Sequence, residues 1–372
     1  MNILVCGGAG FIGSEFIRNH LKNNLNSKIV NLDALKIGSN LSNLKSVENN
    51  QNYSFIKDDI RNELELLGVN VYSYNERPSD NPIIKAIIRK RLHFFIAPLI
   101  KNYYKGVIND IEKISIDYIF IVNPEVISCK ILKEIKSKNM SAKTILYLWD
   151  SMSNKPYGHN LFSLFDNLWS FDERDCNADS RFKFLPLFFN SKYSIMHNDT
   201  AIEKYDLCFI GTIHSDRYNI IKEIRLISES LSLSFFSFMY LPSRFMFFYK
   251  KIFDRRFRNV KYSELNFSPL CQDQVIHVLS QCKVVIDINH HLQDGLTSRT
   301  FEVLAAQKKL ITTNDNIVNY DLYDKSNIDV IDRKNPKINL EFVEGKFNHS
   351  MDPVINQYSL RSWVCEIFKI KS

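Results

Sequence analysis

The chain has 372 residues, 45% of them apolar, and 48 Lys plus Arg stand against 41 Asp plus Glu. That length suits two ordinary domains, and the mild basic surplus does not point to a nucleic-acid partner. The seven cysteines are scattered without Cys-x-x-Cys spacing, which indicates neither a zinc site nor a disulfide framework and sets cytoplasmic, reduced thiols as the expectation. There is no run of 18 apolar residues and no signal-peptide layout, so no spanning segment is expected.

In chain order, residues 2–6 (NILVC) read as a buried strand, followed by GGAGFIG and a helix from Phe11. Gly7, Gly10 and Gly13 stand between that strand and helix, and a second strand, Lys28 to Leu32, ends in Asp33. Glycines for the turn, a helix N-terminus for a pyrophosphate and an acid for a ribose hydroxyl make up a dinucleotide fingerprint. Beyond it, Asn62–Gly68 reads as a helix, Val69–Tyr74 as an alternating strand and 83–113 as a basic helical region. Strands are expected at Asp117–Val122, Lys143–Leu148, Phe165–Ser170 and Phe184–Phe188, with a helix near Ser128–Asn139. Asp172 and Asp175 read as a surface turn.

A second domain is expected from Tyr205. Asp206–Ile210 is its first strand, Gly211 to Arg217 the exit loop and Tyr218–Ser228 a helix. The stretch 233–258 is dense in aromatics and arginine. A helix at Gln272–Gln281, strands at Val284–Ile288, Leu310–Thr313 and Ile328–Ile331, and a terminal helix over 356–370 complete the pattern. Alternating strands and helices predict an α/β fold of two Rossmann-like domains facing a cleft, with an extra N-terminal half-unit. The expected boundaries are 1–61, 62–190, 200–345 and a terminal helix, 355–372, crossing back.

The organising stretch is DINHHLQDGLTSRTFEVLAAQKKLITTN, residues 287–314. Its polar loop opens onto a helix, where unpaired N–H groups and the helix dipole favour an anion. Arg299 adds a planar fork of donors, and Glu302, one turn on, could accept hydrogen bonds from a ribose diol. Alanine at either is expected to abolish activity and leave the fold intact. Asp150, after KTILYLW, is the first choice for a general base, ahead of His159 and Glu125. His214 shares the loop of Gly211, and His290 and His291 are further candidates to line the site. With helix termini and arginine available, no metal is required.

Residues 1–61 resemble the start of nucleotide-sugar 4,6-dehydratases, through GGAGFIG, the NLD ending the second strand and FIKDDIRN after the third. That family implies NAD at Gly7, Gly10, Gly13 and Asp33. The resemblance stops at 62: Tyr218 and Lys222 have Tyr-x-x-x-Lys spacing but lie far too late, and the Thr-Asp-Glu motif is absent. The fingerprint therefore reads as vestigial. Residues 62–365 resemble bacterial GT-B glycosyltransferases with a CgeB-like C-terminal domain, found in capsule and O-antigen clusters. The carrying motifs are YDLCFIGTIHSDR, the organising stretch and NIDVIDRKNP, with YLWDS, SFDERD and FLPLF earlier. The resemblance implies transfer of a sugar from a nucleotide-diphosphate donor to a hydroxyl acceptor. It implies donor contacts at Gly211, Thr212, Gly295, Leu296, Thr297, Arg299 and Glu302, with His214 and Arg217 in the same loop. Expected partners are the nucleotide sugar and a lipid-linked oligosaccharide, and 89–105 and 233–258 suit a peripheral place on the anionic inner face of the plasma membrane. The alternatives are an NAD-dependent dehydratase or epimerase, and an inactive fusion whose foreign N-terminus displaces a needed first strand and leaves the fold defective, unless the strand at 53–57 substitutes for it.

Overall fold

A computed structural model describes residues 2–6, 28–33, 53–57, 59–79, 81–153, 159–196, 203–290 and 293–370. Gly7, Gly10, Gly13, the helix expected from Phe11 and His291 lie outside the described residues. The chain divides into two units, one of residues 1–71, 188–290 and 297–372, the other of 72–187 and 291–296. Both are α/β.

In the first unit, β1 (Asn2–Cys6), β2 (Lys28–Asp33) and β3 (Tyr53–Lys57) form a parallel sheet in that order. Asp33 closes β2. The helix Asp59–Leu66 follows and ends at Gly68, whose φ of +81° lets Val69 N–H reach back to the carbonyl of Leu64. The terminal helix Leu360–Phe368 packs on this helix, with Arg361 paired to Glu63 at 3.4 Å.

The strand expected at Val69–Tyr74 does not form. Its alternation is present in the sequence, but no strand among the described residues pairs with it, and Tyr72 and Tyr74 are exposed. The chain is held just afterwards instead: Glu76 accepts the N–H groups of Glu125, Val126 and Ile127. β3 likewise pairs with β2 and joins neither larger sheet, so it does not replace a first strand of the next domain.

The second unit carries β4 (Tyr118–Val122), β5 (Lys143–Leu148), β6 (Asn167–Ser170) and β7 (Phe182–Phe184), all parallel and in chain order. The expected basic helix divides into Pro82–Arg89, a 3-10 turn at His93–Ile96 and Ala97–Ile111. Pro98 sits in the first turn of the last, where its missing N–H costs no helical hydrogen bond.

The first unit's main sheet holds β8 (Tyr205–Thr212), β9 (Phe235–Tyr240), β10 (Leu265–Asn266), β11 (Cys282–Asp287), β12 (Lys309–Thr312) and β13 (Ile328–Val330). They are parallel, in the order β10-β9-β8-β11-β12-β13. Counted within the sheet this is 3-2-1-4-5-6, the doubly wound Rossmann order. Leu207, Phe209, Val284, Ile286 and Ile311 lie at its centre, buried as both faces of a parallel sheet require. Two elements differ from expectation. β8 continues through Gly211 and Thr212, which pair with Met239 and Tyr240 of β9, so the exit loop is only Ile213–Asp216. The aromatic stretch resolves into β9 and a helix, Arg244–Phe253.

Candidate functional site

In a doubly wound sheet the strand order reverses between the first and fourth strands, and the loops leaving their carboxyl ends part to form a crevice. Here those strands are β8 and β11. The loop after β8 carries His214 and Asp216, and Arg217 opens the helix Arg217–Ser230. The connection after β11 runs to the helix Ser298–Ala305. Asp287, at the end of β11, is buried and accepts the hydroxyls of Thr297 at 2.6 Å and Thr300 at 3.3 Å. The helix N-terminus is thereby fixed to the strand end, and the Thr297 hydroxyl is taken up in doing so.

One guanidinium ties four strand-end loops together. Arg333, after β13, donates from Nε and Nη2 to both oxygens of Asp216 at 2.8 and 2.6 Å. Its Nη1 reaches the backbone and side-chain oxygens of Asn289, each at 3.0 Å, and Thr313 Oγ1 at 3.4 Å. The paired hydrogen bonds from Arg333 hold the Asp216 carboxyl far below the usual carboxylate range. Neither Arg333 nor Asp216 carries a local sequence signal for this pairing across 117 positions.

Arg299 and Glu302 face each other one helical turn apart, Nη1 to Oε2 at 2.8 Å, with Glu302 buried. Burial, the largest single influence, opposes the charge on Arg299, but Glu302, Tyr193, Asp287 and Cys208 together outweigh it and the pKa lies above the ordinary value. Buried Tyr193, from the 3-10 helix Ser191–Met196, shares this contact, and burial raises its phenol strongly. It too lacks a local sequence signal. Because Glu302 is buried against Arg299, alanine at either position strands the other charge. Either alanine variant is therefore expected to lose stability as well as activity.

Arg217 opens the helix that follows β8, one of the two switch-point strands. Its Nη1 donates to the carbonyl of Thr212 at 3.1 Å, while Nε is buried without a hydrogen-bond partner among the described residues. Burial lowers its pKa, Asp287 and Asp216 pull the other way, and Arg333 and Arg299 add repulsion. Arg217 thus feels both other arginines at these strand ends, and Asp287 and Asp216 offset them. Burial, and then the charge of Arg217, push the His214 imidazole down to about 3, so it is neutral at physiological pH. Its ring lies 5.5 Å from that of His290.

Both glycines have packing reasons. A Cβ on Gly211 would stand 2.8 Å from the ring of buried Phe209. One on Gly295 would meet the Phe171 ring at 2.6 Å and its carbonyl oxygen at 2.8 Å. Leu296 is buried beside it, and Arg174 pairs with Asp294. The segment 293–296 therefore packs on the chain after β6, within the second unit.

In that unit Asp150 follows β5, and Glu125 is tied to Arg77. His159 opens the short helix His159–Phe162. Asp172 and Asp175 are not a surface turn: both are buried. Asp172 caps the helix Glu173–Ala178 through Arg174 N–H at 3.0 Å. Asp175 accepts from Ser170 Oγ at 2.8 Å and from Met152 N–H at 3.1 and 3.2 Å. Burial first, then repulsion from Asp172 and Asp150, pushes the Asp175 carboxyl up to about 6. Between its ordinary pKa of about 4 and this value the folded state binds more protons than the unfolded one, so stability falls as pH rises through that window. Asp175→Asn removes this dependence. Denaturant melts at pH 4 and pH 8 should show the variant gaining on the wild type at the higher pH.

No family model matches the chain. A short segment is 40% identical over 76 residues to the dTDP-glucose 4,6-dehydratase of Escherichia coli, covering 20% of each protein. Another match, to the Haemophilus influenzae enzyme, is 50% identical over 60 residues, 16% of this chain and 18% of that one. The chain spans about a fifth of the length of these curated relatives. Among solved structures, Anabaena HepE in complex with UDP and glucose aligns with a TM-score of 0.50 at 11% identity, over 99% of this chain and 98% of that one. The Candida albicans trehalose-6-phosphate phosphatase N-terminal domain aligns at 0.52 and 10%, over 100% and 96%. The fold is of the GT-B type, with two Rossmann-like α/β units, and a dehydratase-like segment is joined to it.

Proposed function

We propose that the protein is a glycosyltransferase that binds a nucleotide-diphosphate sugar at the carboxyl ends of β8, β11 and β12. The observation that carries this reading is the convergence of Arg217, Arg299 and Arg333 at the switch point of the Rossmann sheet, beside the N-terminus of the Ser298–Ala305 helix. The buried Arg217 Nε has no hydrogen-bond partner among the described residues and can donate to a ligand, and a diphosphate supplies several acceptors. HepE, solved with UDP and glucose, has a comparable fold.

In this reading Arg217, Arg299 and the helix N–H groups hold the diphosphate, with Gly211, Thr212, His214 and Thr297 shaping the pocket. Glu302 aims Arg299 and is the proposed contact for the ribose. Asp150 takes the proton of the acceptor hydroxyl, the acceptor oxygen bonds to the anomeric carbon, and the bond from that carbon to the diphosphate breaks. The arginines stabilise the charge that develops on the leaving diphosphate, so the reaction is proposed to run without a metal. The acceptor is proposed to be a lipid-linked oligosaccharide in capsule or O-antigen synthesis.

The dehydratase match favours a second reading, in which residues 1–61 bind NAD. The two are separated by incubating the protein with a panel of nucleotide sugars and following release of the nucleoside diphosphate. Release that depends on Asp150 and Arg217 supports transfer; conversion to a keto sugar with added NAD supports the dehydratase.

A further inference from the structure

We propose that the helix Arg244–Phe253 docks the protein on the surface of an anionic lipid bilayer. Its large apolar residues point the wrong way for a helix serving only the core. Phe245, Phe248, Tyr249 and Ile252 follow the i, i+3, i+4, i+7 spacing of one helical face, yet they are 80, 58, 55 and 71% exposed. Phe253 adds a further 70% exposed ring, while only Phe247 is buried. A single exposed aromatic is unremarkable, but a contiguous stripe of five marks an interaction surface.

The surrounding charge selects the partner. From Arg244 to Lys261 the sequence holds seven Lys or Arg and one Asp, a surplus of six beside +7 for the whole chain. Arg244, Arg255, Arg256, Arg258 and Lys261 are exposed around the stripe. The two lysines within the helix turn inward: Lys251 Nζ donates to the carbonyls of Arg258 and Val260 at 2.6 and 2.8 Å, and Lys250 lies over the Phe257 ring at 4.6 Å. The aromatic face is thereby cleared of charge while a cationic rim remains, the layout that inserts into the acyl boundary beneath anionic headgroups. A protein groove matching this face would need a correspondingly acidic border.

Its place in the fold gives the docking a use. β9 runs parallel to β8, so the helix leaves the carboxyl edge of the sheet, the edge that carries His214. No helix among the described residues is long and apolar enough to cross a membrane, so the association is peripheral. This inference does not depend on the donor-site reading.

The test is co-sedimentation of the full chain with phosphatidylcholine vesicles, with and without phosphatidylglycerol, comparing wild type with a Phe245→Ser, Phe248→Ser, Ile252→Ser triple variant. Wild type should pellet with the anionic vesicles, and the triple variant should lose about tenfold or more of that binding. Its melting temperature should not change, because the replaced side chains are exposed. Equal binding by both proteins, or no binding to either vesicle, would overturn the proposal. So would a wild-type dimer that the triple variant converts to monomer, which would make the stripe a self-association surface. Nucleoside-diphosphate binding by the triple variant should match wild type, which keeps this result separate from the fate of the donor site.

Discussion

Replacing Arg299 by lysine is expected to lower the rate of sugar transfer by about a hundredfold or more while the protein stays folded. The charge opposite Glu302 is kept, so no buried carboxylate is left alone, but a lysine cannot pair with Glu302 and donate to a diphosphate from one planar fork. Arg299→Ala is expected to do more than lose activity. It should also cost about 3–5 kcal/mol of stability, because Glu302 remains buried without its partner. Comparing kcat/KM with thermal midpoints for the two variants separates the roles. A lysine variant with wild-type transfer would remove Arg299 from the site.

The second large effect is expected at Arg333. It makes no contact with the proposed diphosphate in this account; it positions the loops after β8, β11 and β12 through Asp216, Asn289 and Thr313. Arg333→Ala should cost about 2–4 kcal/mol by releasing a partly buried, doubly hydrogen-bonded pair, and should weaken nucleotide binding at least tenfold. Asp216→Asn should reproduce part of the stability loss. The wild-type stability held by this pair is present above the ordinary aspartate pKa and is lost as pH falls through the lower folded value, because the Asp216 pKa is depressed. Wild type and Arg333→Ala should therefore converge in stability on acidification. A variant that binds nucleotide as wild type does would reduce Arg333 to a structural tie.

What the sequence disclosed about this site follows from the range over which the interactions act. The strand, loop and helix from Val284 to Ala305 were legible because their signals are local: an apolar run, a polar loop and a helix with Thr297 at its N-cap. The Asp216–Arg333 pair spans 117 positions, and nothing near either residue announces the other. Tyr193 meets Arg299 and Glu302 from a short 3-10 helix that has no periodic signature. Asp172 and Asp175 sit in a polar run that reads as solvated, and they are buried only because neighbouring parallel strands end beside them. The strand β9 was hidden for the opposite reason. Aromatics so dense carry neither a period of two nor one of 3.6, until the turn at Leu241–Ser243 separates strand from helix. Gly295 was read as a diphosphate contact, and the close approach of Phe171 supplies a second reason for it that spacing could not show.

The central claim is that the cationic strand ends of β8 and β11 bind a nucleoside diphosphate. Its most direct test is the thermal midpoint of the intact chain with uridine, thymidine, guanosine or cytidine diphosphate, and with NAD, for wild type and Arg299→Lys. At a ligand concentration a hundredfold above its dissociation constant, binding adds about 2.7 kcal/mol and shifts the midpoint measurably. One of the diphosphates should stabilise wild type, the lysine variant should lose most of this shift, and NAD should not reproduce it. Stabilisation by NAD alone, or a diphosphate shift that survives intact in the variant, would contradict it.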